Sequence, residues 1–367
     1  MESSERVPFY EKLSFNLISI GIICLALIYG AEIILPVLFA ILLANILLPL
    51  NNYLLGKKFP KALAIFLPLF LAIVVCGGII YFLSAQIMNF MDDIPALKER
   101  LVKVGASLQN WINDNTHVTV TKQNQYINQS VANLKDQAPK ILGMTFVSLT
   151  GILTYIFLLP FYTFLILYYR ANIKTFLIGS FKNGSEKRVT EVLNESTNIA
   201  QSYISGLLIE TALVFVMNTI GFLVLGIKYA IFLALLAALL NLIPYVGMLI
   251  ANIICMLVTL VSSDTTSDVL WVGIILAVVQ FIDNNFGMPM IVGNKVRINA
   301  LVTIIGVLIG GALCGVPGMF LAIPGLAVLK VICDKVPELK FWGILLGDNN
   351  EEPKAAKKLK MTFSKSK

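Results

Sequence analysis

KYAIFLALLAALLNLIPYVGMLIANIICMLVTLV, residues 228–261, decides the fold. Beyond Lys228 it holds no charged residue, yet Asn241, Pro244, Tyr245 and Gly247 cut it into two arms of about 16 residues, each about 24 Å long at helical rise. Each arm falls slightly short of a hydrocarbon core about 30 Å thick. Residues 301–331, LVTIIGVLIGGALCGVPGMFLAIPGLAVLKV, behave in the same way, interrupted at Gly310, Gly311, Gly315, Pro317 and Gly318. Broken backbone at membrane depth must have its N–H and C=O groups satisfied by protein or water, so such breaks usually line a cavity. Paired interrupted segments point to the substrate site of a secondary transporter. Gly and Pro that only relieve helix packing are the alternative reading, since both are common in membrane helices.

Composition supports a membrane setting. Of 367 residues 57% are hydrophobic and 13% charged, and the mean hydropathy is +0.83; a soluble domain carries about a quarter charged residues. Uninterrupted apolar spans run near 14–30, 33–50, 62–85, 142–168, 204–226 and 269–288. The expected fold is therefore all-α: a polytopic integral membrane protein with six apolar spans plus two broken or re-entrant helical hairpins. Lys12 precedes the apolar stretch Leu17 to Tyr29, but no small-residue cleavage site follows, so this is read as a retained anchor. The net charge of +7 is dispersed between spans and in the tail, not gathered in one basic stripe, which argues against nucleic acid. Cys24, Cys76, Cys255, Cys314 and Cys333 lie in apolar segments without CxxC spacing, as packing residues do.

Lysines and arginines orient the spans. Lys57, Lys58 and Lys61 mark one loop, Arg170, Lys174, Lys182, Lys187 and Arg188 a second, and Lys295 and Arg297 a third, whereas the loop of Asp264 and Asp268 has none. The positive-inside rule places the first three in the cytoplasm and the acidic loop outside. The expected organisation is a cytoplasmic N-terminus (1–13), N-terminal spans (14–85), an extracytoplasmic helical insert (86–141) and a span (142–168). A cytoplasmic amphipathic segment (169–203), a transport core (204–335) and a basic cytoplasmic tail (336–367) follow. This parity requires one of the first two runs to be re-entrant, or the pair to act as a hairpin. Span 204–226 leads into one broken run and span 269–288 into the other from the opposite side, the layout of an inverted repeat in the C-terminal half.

The insert opens with Phe90, Ile94, Leu97, Leu101, Val104, Leu108 and Trp111, alternating steps of four and three that suit a coiled-coil seam. Its partner is either another subunit, giving a homo-oligomer, or the downstream residues around Tyr126, Val131 and Leu134.

Polar groups inside spans are expensive and mark function. Glu210 falls about 9 Å into the span starting near Ile204, with Thr211 and Asn218 on a neighbouring face. Gln280, Asp283, Asn284 and Asn285 close the span 269–288, and the spacing predicts one shared face for Gln280, Asp283 and Asn284. Such oxygens can coordinate a small cation or hydrogen-bond a polyol. A solvated helix end is the alternative for this cluster, and structural hydrogen bonding for Glu210. There is no GxxxxGK[ST] loop, and the single histidine, His117, excludes HExxH chemistry. No enzyme, cofactor or metal is expected, apart from Na+ or H+ as coupling ion.

NLIPYVGMLIANI (241–253), QFIDNNFGMPMIVGNKV (280–296) and IGVLIGGALCGVPGMFLAIPGLAVLKVI (305–332), with ILPVLFAILLANILLPL (34–50), resemble the autoinducer-2 exporter family of bacterial membrane transporters. The resemblance implies a multi-pass inner-membrane permease, with members that export a sugar-derived signalling molecule and others that act as sodium/proton antiporters. It matches Pro244, Tyr245 and Gly247 to the family's Pro-containing break, Asp283 and Asn284 to its Asp-Asn pair, and Pro289 and Gly293 to its following turn. Gly310, Gly315, Gly318 and Pro324 match its glycine-rich terminal run. Many relatives place Gln directly after the glycine equivalent to Gly206; here Leu207 follows, and Glu210 stands further on.

The function expected is secondary export of a small polar solute. A sodium or lithium/proton antiporter and a non-transporting membrane scaffold are the alternatives. Glu210, Asn218, Gln280, Asp283, Asn284 and Asn285 are the candidate ion-coupling residues, and Asn241 and Tyr245 the candidate cargo contacts. The expected partners are the bilayer, a small polar solute or monovalent cation, and further copies of the chain.

Overall fold

The computed structural model describes residues 9–115, 157–181, 186–244, 246–263, 265, 267–287, 290–291 and 298–348. Tyr245, Pro289 and Gly293 lie outside them, as do His117, Asp264, Lys182, Lys295, Arg297, residues 142–156, the stretch around Tyr126, Val131 and Leu134, and the basic tail from 349.

All regular structure among the described residues is helical: α1 Phe9–Tyr29, α2 Ala31–Gly56, α3 Lys61–Asn115, α4 Phe157–Tyr168, α5 Arg170–Ser180 and α6 Glu186–Val224. After these come α7 Ala230–Leu240, α8 Val246–Ser262, α9 Ser267–Ile282, a π-helical turn Asp283–Gly287, α10 Ala300–Lys335 and α11 Lys340–Leu346. Among the described residues five stretches are long and apolar enough to cross a bilayer, namely Ala31–Gly56, Lys61–Phe90, Glu186–Val224, Ser267–Gly287 and Ala300–Lys335. Leu17, Ile22, Ile220, Leu249, Ile274 and Leu308 are exposed on the outer faces of their helices. So much apolar side chain turned outward has its natural contact in lipid, and the molecule is an all-α polytopic membrane protein.

Several expected boundaries fall inside helices. The change from polar to apolar sequence near Ile204 is not a helix end, because α6 runs through it from Glu186. Likewise α3 continues past residue 86 into the expected insert as far as Asn115. Hydropathy changes along both helices while the backbone bonding does not. Within the expected tail the apolar run KFWGILL forms α11. It is anchored where Asn299 donates its side-chain N–H to Leu345 O at 2.7 Å while its Oδ1 caps Val302 N at 2.8 Å.

The chain divides into two compact units. One comprises Met1–Leu69, Phe161–Ile209 and Gly287–Lys367. Its core gathers Tyr203, Ile204, Val307 and Ile323, with Phe39 stacked on Phe320 at 5.7 Å between centroids. Here the second broken run is a hairpin. Helical torsions fail at Cys314 (φ −135°, ψ 17°) and Gly315 (φ 63°, ψ −151°), the latter a conformation open essentially to glycine alone. Gly310 and Gly318 then face each other so closely that a Cβ on either would overlap the other's carbonyl oxygen. Pro317 sits in the first turn of the returning arm, where its missing N–H costs nothing.

The other unit comprises Phe70–Pro160 and Glu210–Phe286. Here too the broken run is a hairpin. Cys255 Sγ lies 3.7 Å from Leu233 O across the two arms, and Gly247 sits under the carbonyl of Leu240, where any Cβ would overlap it. The alanine-rich sequence of α7, AIFLALLAALL, lets the arms approach in this way. At 11 residues α7 is only about 17 Å long, so it cannot cross the hydrocarbon by itself. Phe222, Phe232, Leu233, Ala251, Val272 and Leu276 form the core. Phe90, first of the expected seam residues, packs edge-on against Tyr229 at 6.0 Å, and the Tyr229 hydroxyl donates to Asn89 O at 3.3 Å.

Candidate functional site

The turn of the α7–α8 hairpin, the C-terminal half of α6 and the end of α9 build one polar site within the second unit. Asn241 ends α7 with φ −59° and ψ −19°, its amide still bonded to Ala237 O at 2.9 Å. From there its side-chain N–H donates to Asp283 Oδ2 at 3.3 Å. Pro244 lies in the turn itself.

Asp283 is the first residue of the π-helical turn. The wider π turn changes the register of side chains, and such turns recur at functional sites. Asp283 is consequently buried at 2% exposure, while Asn284 and Asn285 are exposed. The single face expected for Gln280, Asp283 and Asn284 is therefore split: Gln280 donates to Asn284 Oδ1 at 3.0 Å, and Asp283 turns inward to Asn241. Asn285 donates to Phe281 O at 2.7 Å, away from the site.

Glu210 is buried at 7% exposure, and its carboxyl neighbours that of Asp283. Asp283 Oδ1 meets no donor among the described residues. Two neighbouring buried carboxylates repel each other, besides the cost of placing each in hydrocarbon.

Beside this pair lies a cleft lined by Asn218, Asn241, Asn252 and Gln280 among apolar neighbours. Four carboxamides, one from each of α6, the end of α7, α8 and α9, converge on a space with room for about one water. Asn218 is 1% exposed, and its Oδ1 meets no donor among the described residues. Asn252 was not singled out in the sequence. Its signal was available, since it is a polar side chain in the middle of the apolar arm 246–262. Gly310, Gly315, Pro317 and Gly318 belong to the other hairpin, in the other unit.

The sequence model described as "AI-2E family transporter" matches residues 17–338, which include every side chain of this site. "Putative transport protein YrrI" of Bacillus subtilis (strain 168) is 29% identical over 315 residues, covering 82% of this chain and 85% of the relative. "Putative transport protein YhhT" of Escherichia coli (strain K12) is 22% identical over 351 residues, 95% of this chain and 97% of the relative. "AI-2 transport protein TqsA" of the same strain is 22% identical over 333 residues, 88% and 92% of the two chains.

Proposed function

This chain belongs to the AI-2E transporter family and is a multi-pass membrane transporter, and we propose that it moves a small polar solute out of the cell by secondary transport, with the Glu210–Asp283 pair as its coupling site. The observation that carries the proposal is a buried Asp283 oxygen without a donor among the described residues, with the Glu210 carboxyl as a neighbour and a four-amide cleft beside it. Protonation or cation binding at the pair changes its charge by one. That change alters the cost of burying it, and so biases the site between two access states. The carboxamides supply donors and acceptors that suit hydroxyl-rich cargo, such as a sugar-derived signal.

A sodium or lithium/proton antiporter is the second reading. It is favoured by the size of the cleft, which fits a water or a monovalent cation more readily than a sugar. The bacterial inner membrane, cytoplasmic termini and a homo-oligomer complete the proposal, resting on the distribution of Lys and Arg and on the seam that begins at Phe90. We read the chain as a transporter and not an enzyme.

Proteoliposomes separate the two readings. Counterflow of a labelled small polyol is expected for the exporter, and proton release on adding sodium for the antiporter. Parental rates in both Glu210→Gln and Asp283→Asn would show that the coupling site has been misassigned.

A further inference from the structure

A second cleft, of about 550 Å³, lies wholly within the other unit, between α2, the α4–α5 junction and the first half of α6. Its lining combines the polar side chains of Arg170, Lys174, Asn45, Asn194 and Asn198 with a wall of apolar ones that includes Leu48, Ile166 and Leu193. Arg170 donates to Asn52 Oδ1 at 2.8 Å and Lys174 to Asn194 Oδ1 at 3.2 Å. These neutral bonds leave both cations with N–H groups to spare. Neither meets a carboxylate among the described residues. The nearby acids of α6 are engaged elsewhere, Glu195 with Lys335 at 3.0 Å and Glu191 with the same amine at 4.0 Å.

The surroundings have the composition of a membrane–water interface. Tyr168 and Tyr169 pack edge-on at 5.1 Å, Lys61 lies 4.4 Å over the Tyr168 ring, and Lys57 lies 4.8 Å over Tyr53. Tyrosines with lysines mark headgroup depth. The volume is many times what one phosphate needs and falls within the range of sites for sizeable ligands.

We propose that this cleft binds one anionic phospholipid, its phosphate held by Arg170 and Lys174 and an acyl chain laid along the wall of Leu48, Ile166 and Leu193. Charge complementarity selects the headgroup, and the apolar wall selects a lipid over a free anion. Basic pockets between membrane helices take anionic headgroups for the same reasons. The inference does not depend on the transported cargo.

The test is binding of fluorescent phosphatidylglycerol to the purified full-length chain in neutral detergent, with phosphatidylcholine and inorganic phosphate as comparisons. Saturation near one phosphatidylglycerol per chain is expected. Arg170→Gln with Lys174→Gln should weaken it by roughly 30-fold. Leu193→Trp should block it with both charges intact, and millimolar phosphate should not displace it. If the double variant is not monodisperse, Leu193→Trp and the charge-conserving pair Arg170→Lys with Lys174→Arg decide. Equal binding by the parent and either blocking variant would mean annular lipid only and overturn the proposal. Displacement by phosphate, with Leu193→Trp without effect, would make the ligand a free anion and overturn it equally.

Discussion

Replacing Gly247 with alanine puts one methyl where the structure has no room. Its carbon would overlap the carbonyl oxygen of Leu240 and come 3.2 Å from Ile243 Cβ. The first obstacle is backbone at the end of α7 and cannot rotate away, so the arms of the hairpin must part. Overpacking of this kind costs about 1–3 kcal/mol. At about 2–4 °C per kcal/mol for a chain larger than a small domain, the melting temperature of the purified protein should fall by roughly 2–12 °C. The displacement falls next to Asn241, whose bond to Asp283 joins the hairpin to α9, so transport should fall further than the loss of folded protein accounts for. Gly77→Ala is the control: nothing lies within 4 Å of its Cβ position, so it should change stability by no more than about 1 kcal/mol. A Gly247→Ala protein that melts with the parent and transports at its rate would refute the close hairpin.

Three further outcomes are expected. Gly315→Ala forces alanine into φ 63°, ψ −151°, at a cost of about 1–3 kcal/mol, and should lower the melting temperature where Gly325→Ala, in open space, does not. Asn299→Ala removes the cap of α10 together with the tie to Leu345, costing about 1–2 kcal/mol, and should speed proteolysis after Val336. Asn252→Leu should leave melting within about 1 kcal/mol while reducing transport, because its side chain faces the polar cleft and not the apolar core.

The breaks were legible because their causes are local. A proline and a glycine within six residues after Asn241, and a glycine-rich run around Gly315, stop a helix whatever surrounds them. Arm length left thin crossings and re-entrant hairpins both open, and the close approach of the arms at Gly247 and at Gly310 and Gly318 shows the hairpins. The ends of α3 and α6 were not legible, because hydropathy near residue 86 and Ile204 reports a change of surroundings and not of backbone. Nor was the inward turn of Asp283: the regular helical spacing groups it with Gln280 and Asn284, and only the π turn parts them. Glu210 and Asp283 were each conspicuous as charges in apolar sequence, but their meeting is a tertiary fact that neither span contains. Asn252 stands out as a polar residue in an apolar arm, but its place beside Asn218, Asn241 and Gln280 is set by tertiary packing.

The coupling pair is tested most directly by the initial rate of gradient-driven flux through proteoliposomes containing the parent, Glu210→Gln, Asp283→Asn or both changes together. Groups acting as one unit lose their effect together: each single variant should fall by about tenfold or more, and the double variant should be no slower than the slower single one. Flux at the parental rate in either single variant, or losses that multiply in the double, would contradict a shared site.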